Sequence, residues 1–137
     1  MCIRDSLKHI VKTTLTLGGA AKDRTNLTVA QTGNRELFNT WLRDGAPILN
    51  GAPVAPGTSG AARASYVRPD GTIVTGTGAH PVTAISDVVH VIESAPNSGK
   101  YSDAVLPLVG GDALHPATGI HEVIADRLAR DLEILGF

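Results

Sequence analysis

Asp112 and His115 are the residues of this sequence whose types and spacing best suit proton transfer. They stand three positions apart in Gly-Asp-Ala-Leu-His-Pro (111–116), directly before a run with a helical pattern. In nucleophilic catalysis by a serine, a carboxylate fixes the tautomer of the histidine and stabilises the imidazolium that forms when the histidine accepts the nucleophile's proton. A structural interpretation stays open beside this one: Asp112 only caps the turn, and His115 is an ordinary residue before a proline.

The element that must position this pair is the helix predicted over 117–135. Its apolar residues recur at helical spacing and form one stripe: Ile120, Val123, Ile124, Leu128, Leu132 and Leu135. Polar residues are expected on the other side: Glu122, Asp126, Arg127, Arg130 and Glu133. Pro116 is tolerated beside the first turn, where a missing N–H has no cost. We therefore expect the helix to pack by its stripe and to hold His115 at the end of the preceding loop.

Three stretches carry a family resemblance, in the same order as in the family. They are the segment from Asp112 to Leu128, with His115-Pro116 and Gly119, the segment Asn-Arg-Glu-Leu-Phe-Asn-Thr-Trp-Leu-Arg (34–43), and Asp-Val-Val-His-Val-Ile-Glu (87–93). Together they resemble the SGNH/GDSL hydrolase family over roughly residues 10–135. The resemblance implies an α/β fold, namely the C-terminal part of a three-layer α/β/α (flavodoxin-like) domain with parallel strands and a C-terminal amphipathic helix. It also implies that His115 is the general base and Asp112 its orienting acid.

The nucleophile of that family is missing from the sequence. The family places it in a Gly-Asp-Ser block near the N-terminus, whereas Asp5-Ser6 follows Arg4 and no apolar strand precedes it. We interpret residues 1–6 as an assembly or adapter scar. Residues 7–137 are then the C-terminal portion of one SGNH hydrolase-like domain, with a loop and hairpin excursion at about 45–85.

Composition excludes several other classes of protein. Of the 137 residues, 42% are hydrophobic, which is enough for a packed core. The net charge of −1 and the absence of a basic cluster disfavour a nucleic-acid partner. The single cysteine, Cys2, lies in the suspected scar, so neither disulfides nor thiolate metal sites are expected. No apolar run is long enough to cross a bilayer.

Local patterns predict the remaining elements. A β-branched run predicts a strand over 10–17, and a helix is expected from an N-cap at Asn34 to Gly45 and Pro47. Its apolar face would carry Leu37, Phe38, Trp41 and Leu42. The Gly- and Pro-rich segment 45–60 predicts no regular structure, whereas Pro-Asp-Gly (69–71) predicts the turn of a hairpin over 65–75. An apolar run predicts a buried parallel strand over 85–92, with His90 at the core edge, followed by a turn over 93–100.

For the other residues whose types could do chemistry, the sequence favours a structural role over a functional one. Ser59 lacks the flanking pattern of a nucleophile, and His80 has no acid three positions before it. Gly-Thr-Gly (76–78) is too short for a nucleotide-binding loop. Asp112, His115 and His121 are acceptable metal ligands by type, but the two histidines are six positions apart and would lie on different faces of a helix.

The expected function is that of a serine ester hydrolase fragment. Asp112 and His115 supply two members of a Ser-Asp-His triad, the serine lies outside this chain, and no cofactor is expected. The substrate would be a small-molecule, carbohydrate or lipid ester, and relatives are often secreted or periplasmic. The alternative is a non-enzymatic carbohydrate- or partner-binding module in which Asp112 and His115 are structural and the 45–85 segment forms the contact surface.

Overall fold

The computed structural model describes residues 9–14, 29–108 and 118–137. The described chain is mixed α/β, with a sheet that contains parallel strands and an α-helix at its C-terminal end, which confirms the predicted class at this level. The chain divides into two compact units. One comprises Met1–Thr13 and Trp41–Asp87, and the other comprises Thr14–Thr40 and Val88–Phe137.

The first unit contains the strands. In chain order they are β1 (Val11–Thr13), β2 (Ile48–Leu49), β3 (Ala52–Pro53), β4 (Ser65–Val67), β5 (Ile73–Val74) and β6 (Ala84–Ser86). The main sheet has the order β1-β6-β4-β5, and β6 pairs in parallel with both β1 and β4. Because β6 is central, all three of its residues are buried, as expected for a parallel strand covered on both faces. Ile85 lies opposite both Lys12 and Tyr66.

The hairpin predicted around Pro-Asp-Gly is confirmed. Strands β4 and β5 pair antiparallel, with Tyr66 opposite Val74. Within the turn, the Asp70 carboxylate accepts hydrogen bonds from the backbone N–H of Thr72 at 2.9 Å and from its hydroxyl at 2.8 Å. These bonds lower the pKa of Asp70 because they favour its charged form, and the bond from the backbone N–H of Thr72 has the larger effect. Any stability that this turn gains from the carboxylate is therefore present at neutral pH and is lost when acid protonates Asp70.

A second hairpin lies in the segment 45–60, where no regular structure was expected. Strands β2 and β3 pair antiparallel across Asn50 and Gly51. Both turn residues have positive φ, 51° and 78°, which is the backbone of a type I′ turn. Asn-Gly between two short strands is the sequence signal for this turn, and the density of Gly and Pro around it masked the signal.

The prediction of a strand over 85–92 is wrong about the length of the strand. It ends at Ser86, and a 3₁₀ helix follows over Val88–Val91. Asp87, between them, is buried, and its carboxylate accepts hydrogen bonds from Arg43 Nε at 2.7 Å and from the Tyr66 hydroxyl at 3.2 Å. A buried carboxylate requires such partners, which an apolar-run argument does not take into account. His90 therefore lies on a 3₁₀ helix, half-buried, rather than on a strand.

Helix α1 (Val29–Arg43) differs from its prediction at the start and on one face. It begins five residues before Asn34, which is inside the helix and exposed, so Asn34 is not its N-cap. Leu37, predicted on the apolar face, is 70% exposed, whereas Leu42 is buried. The predicted end is confirmed: Gly45 has φ of 77°, and the N–H groups of Gly45 and Ala46 donate to the carbonyls of Leu42 and Trp41, which is a Schellman motif.

Helix α2 (Thr118–Leu135) belongs to the second unit and confirms the predicted C-terminal helix from Thr118 onward. Its Ile120 is completely buried in a core cluster with residues of the segment 88–105: Val88, Val89, Ile92, Tyr101 and Val105. Val123, Ile124 and Leu128 are half-buried against the same cluster, as the stripe predicts. Arg127, expected on the polar side, is only 4% exposed, because it pairs with the buried carboxylate of Asp131 four residues later. None of the helices in the described ranges has the length and hydropathy needed to span a membrane.

Candidate functional site

The two residues assigned to proton transfer, Asp112 and His115, lie outside the described residues. The structure does describe both flanks of their segment. On one side a 3₁₀ helix covers Leu106–Leu108, and on the other α2 begins at Thr118. The described part of the candidate site therefore consists of the residues that fix these flanks.

The two flanks are in contact with each other. A Cβ atom added to Gly119 would lie 3.0 Å from Leu108 Cδ2, 3.3 Å from Cδ1 and 3.4 Å from Cβ. Leu108 is held on its own side by its N–H, which donates to the carbonyl of Val105 at 2.8 Å. Gly119 is followed directly by the completely buried Ile120. The segment that carries Asp112 and His115 therefore lies in the chain between two residues that are close to each other, Leu108, which is 36% exposed, and Gly119.

A buried carboxylate organises the chain that leads to this segment. The Glu93 side chain has no exposed surface and accepts a hydrogen bond from Arg35 Nη1 at 3.0 Å. It also accepts bonds from the backbone N–H groups of Asn97 at 3.1 Å and Gly99 at 3.3 Å. The turn predicted over 93–100 is thereby confirmed, and Glu93 forms an antiparallel bridge with Tyr101 on its far side. Burial raises the pKa of the Tyr101 hydroxyl, so this side chain stays neutral in the core.

Replacing Glu93 by glutamine tests this anchor. The amide keeps one accepting oxygen but loses the charge that binds Arg35, so we expect the free energy of unfolding to fall by about 1.5–3 kcal/mol, the usual value for a hydrogen bond to a charged group. Urea denaturation followed by circular dichroism measures the change. Glu133→Gln, the same substitution at an exposed position of α2, is the control and should leave stability nearly unchanged. Equal effects of the two substitutions would show that Glu93 is not an anchor.

The structure also describes the surroundings of His80 and His121. His80 lies in a loop, as predicted, where Nε2 can donate to the carbonyl of Ala46 at 2.8 Å while Nδ1 accepts from the N–H of Val82 at 3.1 Å. His121 is exposed on α2. Across the described ranges no three His, Cys, Asp or Glu residues are grouped so as to hold a metal ion.

An open cleft of about 350 Å³ lies within the 45–85 segment. Small residues and one arginine line it: Gly60, Ala61, Ala62, Arg63, Thr77 and Gly78. The Arg63 guanidinium is held by protein groups, with Nε 3.2 Å from the Asp44 carboxylate and Nη2 donating to the carbonyl of Thr58 at 2.9 Å. Gly76 has a packing role, because a Cβ there would lie 2.5 Å from the carbonyl oxygen of Arg63. Ser59, next to the cleft, is exposed.

Comparison of the chain with protein-family models, with curated proteins and with solved structures finds no match.

Proposed function

We propose that this chain supplies the acid and the base of a serine ester hydrolase whose nucleophilic serine lies outside its 137 residues. The observation that carries the proposal is the spacing of Asp112 and His115 directly before an amphipathic helix. The described helix supports it, since α2 begins three residues after His115 and its first turn is fixed by the buried Ile120. A rigid element next to a catalytic loop is what precise positioning requires.

We also propose that the chain is the C-terminal part of a three-layer, flavodoxin-like SGNH domain. A three-layer, flavodoxin-like SGNH domain has a parallel sheet with helical connections between its strands. Here β1, β6 and β4 are mutually parallel, and α1 lies in the connection between β1 and β4. Of the two connections between these strands, the one from β1 to β4 contains a helix and the one from β4 to β6 contains β5, so the topology is compatible with the proposed fold at the level of a mixed α/β sheet.

The proposed mechanism has two half-reactions. His115 accepts the proton of the serine hydroxyl as its oxygen attacks the ester carbonyl, while Asp112 holds the imidazole and stabilises its positive charge. The imidazolium then protonates the departing alkoxide, which leaves as the alcohol and gives an acyl-enzyme. In the second half, His115 takes a proton from water, the hydroxide attacks the acyl carbon, and the proton returns to the serine as the carboxylic acid departs.

Hydrolysis of p-nitrophenyl acetate tests whether the nucleophilic serine lies outside this chain. The purified 137-residue chain should release p-nitrophenol no faster than its His115→Ala variant, because the chain holds the base but not the nucleophile. The release of p-nitrophenol is followed by absorbance. A burst from the chain that His115→Ala abolishes would mean that the nucleophile lies within these residues.

A binding module without catalysis is the second candidate, and the open cleft at Gly60–Arg63 is the observation that favours it. In that case Asp112 and His115 only stabilise their turn. The uninterrupted upstream coding sequence separates the two candidates. A Gly-Asp-Ser block after an apolar strand supports the hydrolase, and an upstream sequence without one supports the module.

A further inference from the structure

We infer that one edge of the main sheet, residues 73–77, is an interaction surface whose partner is the same edge of a second copy of this chain. We call it the β5 edge. In the sheet order β1-β6-β4-β5, the strands β1 and β5 lie at the two edges. An edge strand presents backbone N–H and C=O groups that are a template for pairing with another chain. Such pairing needs no part of the proposed hydrolase mechanism.

The β5 edge is longer than the strand β5 itself. Tyr66 lies opposite Val74 in the pairing of β4 with β5. At the same register, Arg63 and Thr77 exchange two backbone hydrogen bonds, of 2.8 Å and 2.9 Å. The antiparallel pairing with the neighbouring strand therefore continues beyond Val74, and the outer side of the sheet presents an extended segment that ends at Thr77.

The backbone of the β5 edge has hydrogen-bonding groups that point away from β4. The N–H of Arg68 donates to the carbonyl of Thr72 at 2.8 Å, so these two residues are a hydrogen-bonded pair. Such pairs alternate along an antiparallel ladder, so Val74 and its partner on β4 form the next one. The N–H and C=O groups of Ile73 and Thr75 therefore point outward, in the direction from which another strand would approach.

The side chains of the β5 edge are exposed and uncharged. Ile73 is 42% exposed and Val74 is 38% exposed, and successive side chains of a strand lie on opposite faces. Residues 71–86 include no Asp, Glu, Lys or Arg. The opposite edge of the sheet differs, because the middle residue of β1 is the exposed Lys12. Lysine on an edge strand protects it from pairing, and the sequence of the β5 edge has no equivalent charge.

A second copy of the chain is the partner that these properties fit. Antiparallel pairing about a two-fold axis places the β5 edge against itself. Uncharged β-branched side chains then lie opposite one another, which stabilises an antiparallel pair, and no like charges meet. A strand with charged side chains would find no opposite charge on this edge. Because the edge is short, the contact is smaller than the interface of a permanent dimer, and we expect it to form at high protein concentration.

Sedimentation velocity of the 137-residue chain over a series of concentrations tests the inference. We expect the mean sedimentation coefficient to rise from that of a monomer towards that of a dimer and no further. Val74→Lys places like charges close together across the two-fold axis, so the Kd of the dimer should rise by about tenfold or more. Leu37→Lys is the control, since it adds the same charge at an apolar residue that is 70% exposed on α1. It should leave the Kd unchanged.

Amide hydrogen exchange of the natural chain provides a second measurement that needs no variant. Exchange at Ile73 and Thr75 should slow as the protein concentration rises, whereas the amide of Val74, which already bonds to β4, should change less. A chain that stays monomeric at every concentration would overturn the inference. So would assembly beyond a dimer, an equal Kd for Val74→Lys and Leu37→Lys, or exchange at Ile73 and Thr75 that does not depend on concentration.

Discussion

Replacing His115 by alanine is expected to lower kcat/KM for ester hydrolysis by about 10⁴-fold or more in a longer protein that carries this chain together with its nucleophile. In the proposed mechanism the imidazole accepts the proton of the serine and returns it to the leaving group, so His115→Ala would deprive both half-reactions of their acid–base catalyst. Asp112→Asn should have an effect of about the same size, because the amide favours the wrong tautomer of His115. Steady-state kinetics with p-nitrophenyl esters measures both effects.

The sequence provides matched controls for these variants. His121 is an exposed histidine on α2, and Asp126 is an exposed aspartate on the same helix. His121→Ala and Asp126→Asn should leave kcat/KM within a small factor of the parent value. The assignment is contradicted if His115→Ala and His121→Ala have similar kinetics.

Removing the Asp131 carboxylate is expected to destabilise the second unit by about 3–5 kcal/mol. Arg127 Nε lies 2.9 Å from Asp131 Oδ2, and the two side chains are 2% and 0% exposed. In Asp131→Ala the buried guanidinium of Arg127 loses the carboxylate that lies 2.9 Å from its Nε, and removing one partner of a buried ion pair is strongly destabilising. Chemical denaturation measures the change in the free energy of unfolding.

Asp126→Ala is the control for this second prediction. It makes the same substitution five residues earlier on the same helix, at an exposed position, so the gain in helix propensity is common to both variants. The difference between them therefore reports the buried pair. A loss of less than about 1 kcal/mol in Asp131→Ala, the value typical of exposed pairs, would show that the pair does not contribute as a buried one.

Arg127 shows which part of α2 could be predicted from its sequence. The apolar stripe correctly predicted the helix, and Ile120 lies in the core as its position in the stripe predicts. Charge alone placed Arg127 on the solvent side, and that prediction was wrong because its partner four residues later neutralises it inside the protein. Arginine followed by aspartate at i+4 is visible in the sequence, but an exposed surface pair has the same spacing.

Local turn chemistry was predictable where a few neighbouring residues determine the structure. Pro-Asp-Gly correctly predicted the turn between β4 and β5, and Gly45 correctly predicted the end of α1. Elements fixed by distant partners were not predictable in the same way. The end of β6 depends on Arg43 and Tyr66 binding the carboxylate of Asp87, and no short window of sequence contains all three residues.

The pKa of the His115 imidazole is the measurement that tests the pairing of Asp112 with His115 most directly. NMR titration of the chain gives this pKa, with the other four histidines as internal references. If the Asp112 carboxylate stabilises the imidazolium, the pKa lies above the ordinary value of about 6.5 and falls in Asp112→Asn. An ordinary pKa that is the same in the natural chain and in Asp112→Asn would contradict the pairing and, with it, the proposed hydrolase.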